Sequence, residues 1–194
     1  MKLSKSIIVI IAIVFGGVWA ASAYNSMVGV QETATTALAN VQSAYQRRAD
    51  LIPNLVETVK GYASHEKETL EGVVEARTKA TQVTLDAENL TPEKLQEFQQ
   101  AQGELGTALG RLIAISEAYP ELKANENFQE LQVQLEGTEN RINEARNKYN
   151  TAVQDYNLVI RSFPKNIFAG LFGFDKMNKF ESAAGAEKAP EVKF

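Results

Sequence analysis

The chain has 194 residues, a formal net charge of −4, one histidine and no cysteine. An acidic balance leaves no electrostatic footprint for nucleic acid. Without cysteine there are no disulfides, no thiol catalysis, no Cys-based zinc site and no lipoprotein-type Cys anchor.

The first element is apolar. No charge occurs between Ser6 and Gln31. The stretch 6–24 would span roughly 28 Å as a helix, close to the hydrocarbon core of a bilayer. Ile7, Ile8, Ile10, Ile11, Val14 and Phe15 form its body, and Trp19 and Tyr24 sit where an aromatic belt anchors a spanning helix. A cleaved signal peptide is the competing reading, since Lys2 and Lys5 make a basic leader and Ala21-Ser22-Ala23 fits a cleavage site. The apolar run is longer than such a leader needs, which favours a retained anchor. Gly16, Gly17, Ala20 and Ala21 make small-xxx-small pairs that suit close helix approach in lipid, or simply the tolerance of spanning helices for small residues. Lys2 and Lys5 precede the span and the first charge after it is Glu32. Positive charge stays inside, so residues 1–5 are expected in the cytoplasm and the body outside it.

The body, 25–163, reads as a coiled-coil-like bundle. A seven-residue repeat runs through Leu38, Tyr45, Ile52, Val59, Glu66, Val73 and Ala80. Its partner column is Val41, Arg48, Leu55, Tyr62, Thr69, Ala76 and Val83. Pro53 predicts a kink or a break. Because the repeat keeps phase, a bent but continuous helix is favoured over a reversal. Thr91-Pro92-Glu93 opens a second helix with the face Leu95, Phe98, Leu105, Leu109 and Leu112. Gly103, Gly106 and Gly110 on it suit a close neighbour or a locally weak helix. A third helix is predicted from about Asn125 to Phe163, where Pro164 stops it. The fold class is therefore all-α: a long antiparallel bundle of three helices, or four if Pro53 breaks the first, following an N-terminal transmembrane helix.

Residues 164–181 form a short aromatic amphipathic segment. Phe168, Leu171, Phe172 and Phe174 would enter a membrane interface or cap the bundle. The tail 182–194 has too little to bury and reads as disordered.

Chemistry is hard to find. His65 lacks the partners of a metal site, and no GxSxG, Walker A or GxGxxG sequence occurs. No cofactor and no catalytic residue is expected. Arg48 and Glu66 form a polar core layer that fixes helix register or marks a docking site, with Asp50, Asn54 or Glu57 as partners for Arg48. Asn143, Asn150 and Asn157 recur every seven residues. Three poor helix formers in register suggest amides bonded to a neighbour, either within the chain or between copies.

Several of these stretches resemble the LemA family. They are Tyr45-Gln-Arg-Arg-Ala-Asp-Leu-Ile-Pro-Asn-Leu-Val56, Lys60-Gly-Tyr-Ala-Ser-His-Glu66, Ala76-Arg77, Asn140-Arg-Ile-Asn-Glu-Ala-Arg146, Tyr149-Asn150, Tyr156-Asn157 and Phe163-Pro164. The resemblance covers about residues 1–181. It implies a bacterial single-pass membrane protein with a long helical bundle and no established enzymatic activity. By analogy with magnetosome relatives, it also implies a part in membrane organisation. The expected partners are the lipid bilayer and further copies of the chain, in a self-assembling scaffold. The alternative is an envelope adaptor presenting its bundle to a sensor or protease.

Overall fold

The computed structural model describes residues 5–181. The expectations for residues 1–4 and for the tail 182–194 lie outside the described residues. The described chain is helical, in the order given below.

Helix α1, Lys5–Tyr62, is a single rod of 58 residues, about 87 Å long at 1.5 Å per residue. It passes through Pro53 unbroken. Proline cannot donate to the carbonyl one turn earlier, that of Ala49. Arg77, arriving from the next helix, donates its Nε–H to that oxygen at 2.8 Å. The lost helical bond is thus replaced by a tertiary one, and continuity survives.

The reversal comes later, and here the reading of the repeat from Leu38 to Val83 as one bent but continuous helix is corrected. The chain turns at residues 63–66, and α2, Lys67–Gln82, runs back along α1. Gly61, Ser64 and His65 weaken helix propensity at that point. The seven-residue repeat crosses the turn in phase because Val59 and Ala63 before it, and Leu70 and Val73 after it, face one core. Periodicity reports which face is buried and carries no information about direction.

Helix α3, Pro92–Ile115, starts as expected: Thr91 Oγ1 accepts from the Lys94 amide at 3.2 Å. Leu95, Phe98, Leu105, Leu109 and Leu112 are all buried. A single turn, α4 (Pro120–Lys123), leads into α5, Glu126–Arg161, whose Asn125 cap accepts from the Phe128 amide at 2.9 Å. Helix α5 returns antiparallel to α1, and α6, Lys165–Phe172, closes the bundle beside the N-terminal half of α1. The chain therefore makes four passes, with the second and third covering only the far part of the rod.

Three apolar clusters follow one another along the axis. The distal one joins Ile52, Val59, Val73, Leu112 and Phe128. The middle one joins Leu38, Tyr45, Phe98, Ile142 and Tyr149. The proximal one joins Met27, Tyr156, Ile160, Ala169 and Phe174. Each large apolar side chain so buried contributes about 1.5–3 kcal/mol, which is what holds an otherwise marginal set of helices together.

Candidate membrane interface and C-terminal strap

The N-terminal part of α1 projects beyond these clusters. Ile7, Ile10, Ile11, Val14 and Phe15 are exposed, Phe15 by 74%. In water such a surface is costly; in lipid it is the ordinary lateral face of a spanning helix. The side chain of Ile8 lies outside the described residues. A Cβ built on Gly16 or Gly17 meets nothing within 4 Å, so no other described helix packs closely on these glycines.

Burial begins at Ala23 and Met27, and there α6 comes alongside. Phe168 meets Trp19 edge-to-face with ring centroids 5.2 Å apart. Phe172 and Phe174 flank Tyr24 at 5.2 and 5.6 Å. Lys165 donates to Ser26 Oγ at 2.9 Å. The aromatic segment divides into two sets of residues. Phe168 and Phe174 close the bundle end, whereas Phe163, Ile167 and Leu171 point away from it, 61–82% exposed. Ile167 and Leu171, four residues apart on α6, lie on the same side of that helix.

After Gly173, whose φ of +74° ends α6 in the left-handed conformation that glycine adopts freely, the chain extends. Residues 175–181 run back along α5 as a strap. Asn157 holds Met177 at both ends of one amide: Nδ2 donates to the Met177 carbonyl at 2.9 Å, and the Met177 N–H donates to Oδ1 at 3.0 Å. Asn150 repeats this on Phe180, at 3.0 and 2.9 Å. Beside these rungs the hydroxyls of Tyr156 and Tyr149 donate to the carbonyls of Asp175 and Asn178, each at 2.8 Å. Burial pushes the Tyr149 phenol up to about 12. Tyr156 is also raised, by burial first and the Asp175 carboxylate second, so both remain donors well above neutrality. Phe180 inserts between Phe98 and Tyr149, with the Arg146 guanidinium 5.1 Å over its ring.

The asparagine row therefore binds within the chain at two of its three positions; Asn143 is exposed. The amide repeat was visible in the sequence, but the strap was not. A ladder of side-chain amides at seven-residue spacing is the signal that points to an extended partner.

Arg48 is buried as expected of a core layer, 6% exposed, but its partners are distant in sequence. It donates to the Gln102 side chain at 2.6 Å, to the Gln102 carbonyl at 3.2 Å and to Glu139 at 3.1 Å. Asp50, Asn54 and Glu57 stand along α1 itself, and the first of them bonds Gln46 instead. Glu66 does not join that layer. It lies in the α1–α2 turn and accepts from the Tyr119 hydroxyl at 3.2 Å.

A family model described as the LemA family matches residues 37–194. The chain belongs to the LemA family. It is 30% identical over 181 residues to the magnetosome protein MamQ of Magnetospirillum gryphiswaldense, covering 84% of this chain and 66% of that one. A MamQ of Paramagnetospirillum magneticum is 28% identical over 81% of this chain and 64% of its own. Protein LemA of Metamycoplasma hominis is 24% identical over 75% of this chain and 63% of its own. The chain thus spans a little under two thirds of the length of these curated relatives. The family match takes in residues 37–62 of α1 and all of α2 to α6. With one N-terminal helix long and apolar enough to cross a membrane, this is a membrane-associated LemA-type protein.

Proposed function

We propose that this LemA protein is a non-enzymatic scaffold of the bacterial inner membrane that self-assembles to organise or shape the bilayer. Its anchor is retained, its N-terminus is cytoplasmic and its bundle stands on the extracytoplasmic side. The observation that carries the reading is the packing of Phe168, Phe172 and Phe174 on Trp19 and Tyr24. Those two rings lie at the depth of an aromatic belt, so α6 enters the same interface as the anchor and turns Phe163, Ile167 and Leu171 towards lipid.

Two insertions set close together fix the rod's angle to the membrane far better than one flexible tether. A shallow amphipathic helix beside a spanning one also adds area to one leaflet. Both properties suit a protein that shapes a surface, and the MamQ names of the relatives agree with a membranous setting. Cleavage after Ala23 would discard Trp19 and with it the Phe168 contact, which supports retention. Reconstitution of the full chain into liposomes tests the proposal. Ordered arrays or altered vesicle curvature in electron micrographs are expected, with oligomers on sedimentation in detergent. A monomer that leaves vesicle shape unchanged would remove the reading.

A further inference from the structure

The strap fills only part of the space between α3 and α5. Past Glu181 a groove of about 870 Å³ continues towards the distal end of the bundle. Its mouth is formed by Gln99 and Arg146, which donate to the Glu181 carbonyl at 3.0 and 2.9 Å. Further along, α3 contributes Gly103, Gly106 and Gly110, and a Cβ placed on any of them would meet nothing within 4 Å. Arg48 also lines the groove, and its buried Nε has no hydrogen-bond partner among the described residues.

We propose that this groove is a main-chain-reading site for the segment that follows the strap, residues 182–187, so that the chain continues along α5 in the same register. The step between rungs supports it. Asn157 to Asn150 is seven helical residues, about 10.5 Å, and Met177 to Phe180 is three extended residues, about 10 Å. The two ladders therefore stay in phase. One further step brings Asn143 opposite Ala183. The Asn143 side chain makes no hydrogen bond to a described residue, and it lies on the same α5 row as Glu136, which lines the groove.

The dimensions and side chains agree as well. From Gln99 to Ile113, α3 rises about 21 Å, and six extended residues cover about 20 Å. The segment reads Ser-Ala-Ala-Gly-Ala-Glu, small side chains against a glycine-lined wall, with main-chain carbonyls for the unpartnered Arg48 Nε. A tether that ends at the groove's mouth presents this segment at millimolar effective concentration, far above that of a second copy or another peptide.

The absence of cysteine makes the test direct. In the full-length chain, Ala183→Cys is paired in turn with Gly103→Cys and with Gly106→Cys, and with Gly72→Cys on α2 as control. Mild oxidation is expected to link the two groove pairs within one chain, seen as a faster-migrating monomer with two fewer hydrogens by mass. The control pair is expected to stay open. Adding Asn143→Ala is expected to slow the linkage several-fold without altering the helical spectrum. Disulfide-linked dimers would assign the groove to a second copy and overturn the proposal. So would failure to link, with Gly103→Cys reacting with maleimide as fast in the full chain as in one ending at Glu181.

Discussion

Arg77 donates its Nε–H to the carbonyl of Ala49, the one acceptor in α1 that Pro53 leaves without its helical amide. The proline creates the vacancy and a residue of the next helix occupies it, so a local defect is converted into a link between α1 and α2. The two residues should therefore be coupled energetically. Replacing Arg77 by Met is expected to cost about 1–2 kcal/mol in the wild-type background and much less in Pro53→Ala, where residue 53 again serves Ala49. A double-mutant cycle by urea denaturation measures this; equal costs in both backgrounds would contradict it.

The strap depends on paired amide bonds. Asn157→Ala or Asn150→Ala removes two hydrogen bonds to one residue of the strap and is expected to cost about 1–3 kcal/mol locally. At roughly tenfold per 1.4 kcal/mol, the open population rises about 5- to 150-fold. Lys176 and Lys179 lie on the strap, so limited trypsinolysis there is expected to accelerate by that factor while the bundle melts almost unchanged.

Alkaline pH acts on the same segment. An unfolded tyrosine ionises near 10, whereas Tyr149 in place is held neutral up to about 12. The folded state therefore keeps a proton that the unfolded state has lost. The contribution is complete below pH 10 and falls away between 10 and 12. Thermal melts across that range are expected to decline more steeply for the wild type than for Tyr149→Phe.

Around Arg48 the two partners should behave unequally. Arg48 is buried, and removing it leaves Gln102 without its donor and opens space in the middle of the rod. Arg48→Ala is expected to cost about 3–5 kcal/mol. The Glu139 side chain is 52% exposed, so Glu139→Gln is expected to change stability by less than about 1 kcal/mol. Chemical denaturation of the two variants separates the cases.

Long helices, caps and buried faces were legible because each is a local or periodic property. Thr91 caps α3, and Leu95, Phe98, Leu105, Leu109 and Leu112 are buried, as their spacing indicates. The reversal at residues 63–66 was not legible, because no proline marks it and the two helices share one core in phase. At Pro53 the unbroken phase of the repeat indicated a continuous helix, and α1 is continuous there; what the sequence did not show is that the missing hydrogen bond is replaced from 28 residues away. The partners of Arg48 and of the asparagine row were hidden for the same reason: Glu139, Met177 and Phe180 meet them only after the chain has folded back. The aromatic residues of α6 were recognisable as a group. Which of them grip the anchor and which face outward depends on the number of passes.

The depth of α6 beside its anchor is the point on which the functional reading turns. A nitroxide attached at Leu171→Cys in the otherwise cysteine-free, full-length protein can be placed in proteoliposomes and its collision rates with oxygen and with a polar nickel complex compared. Strong oxygen and weak nickel access are expected, giving a depth at the headgroup–acyl boundary close to that of a label at Trp19→Cys. Free access of the nickel complex at position 171, with position 19 buried in lipid, would contradict it.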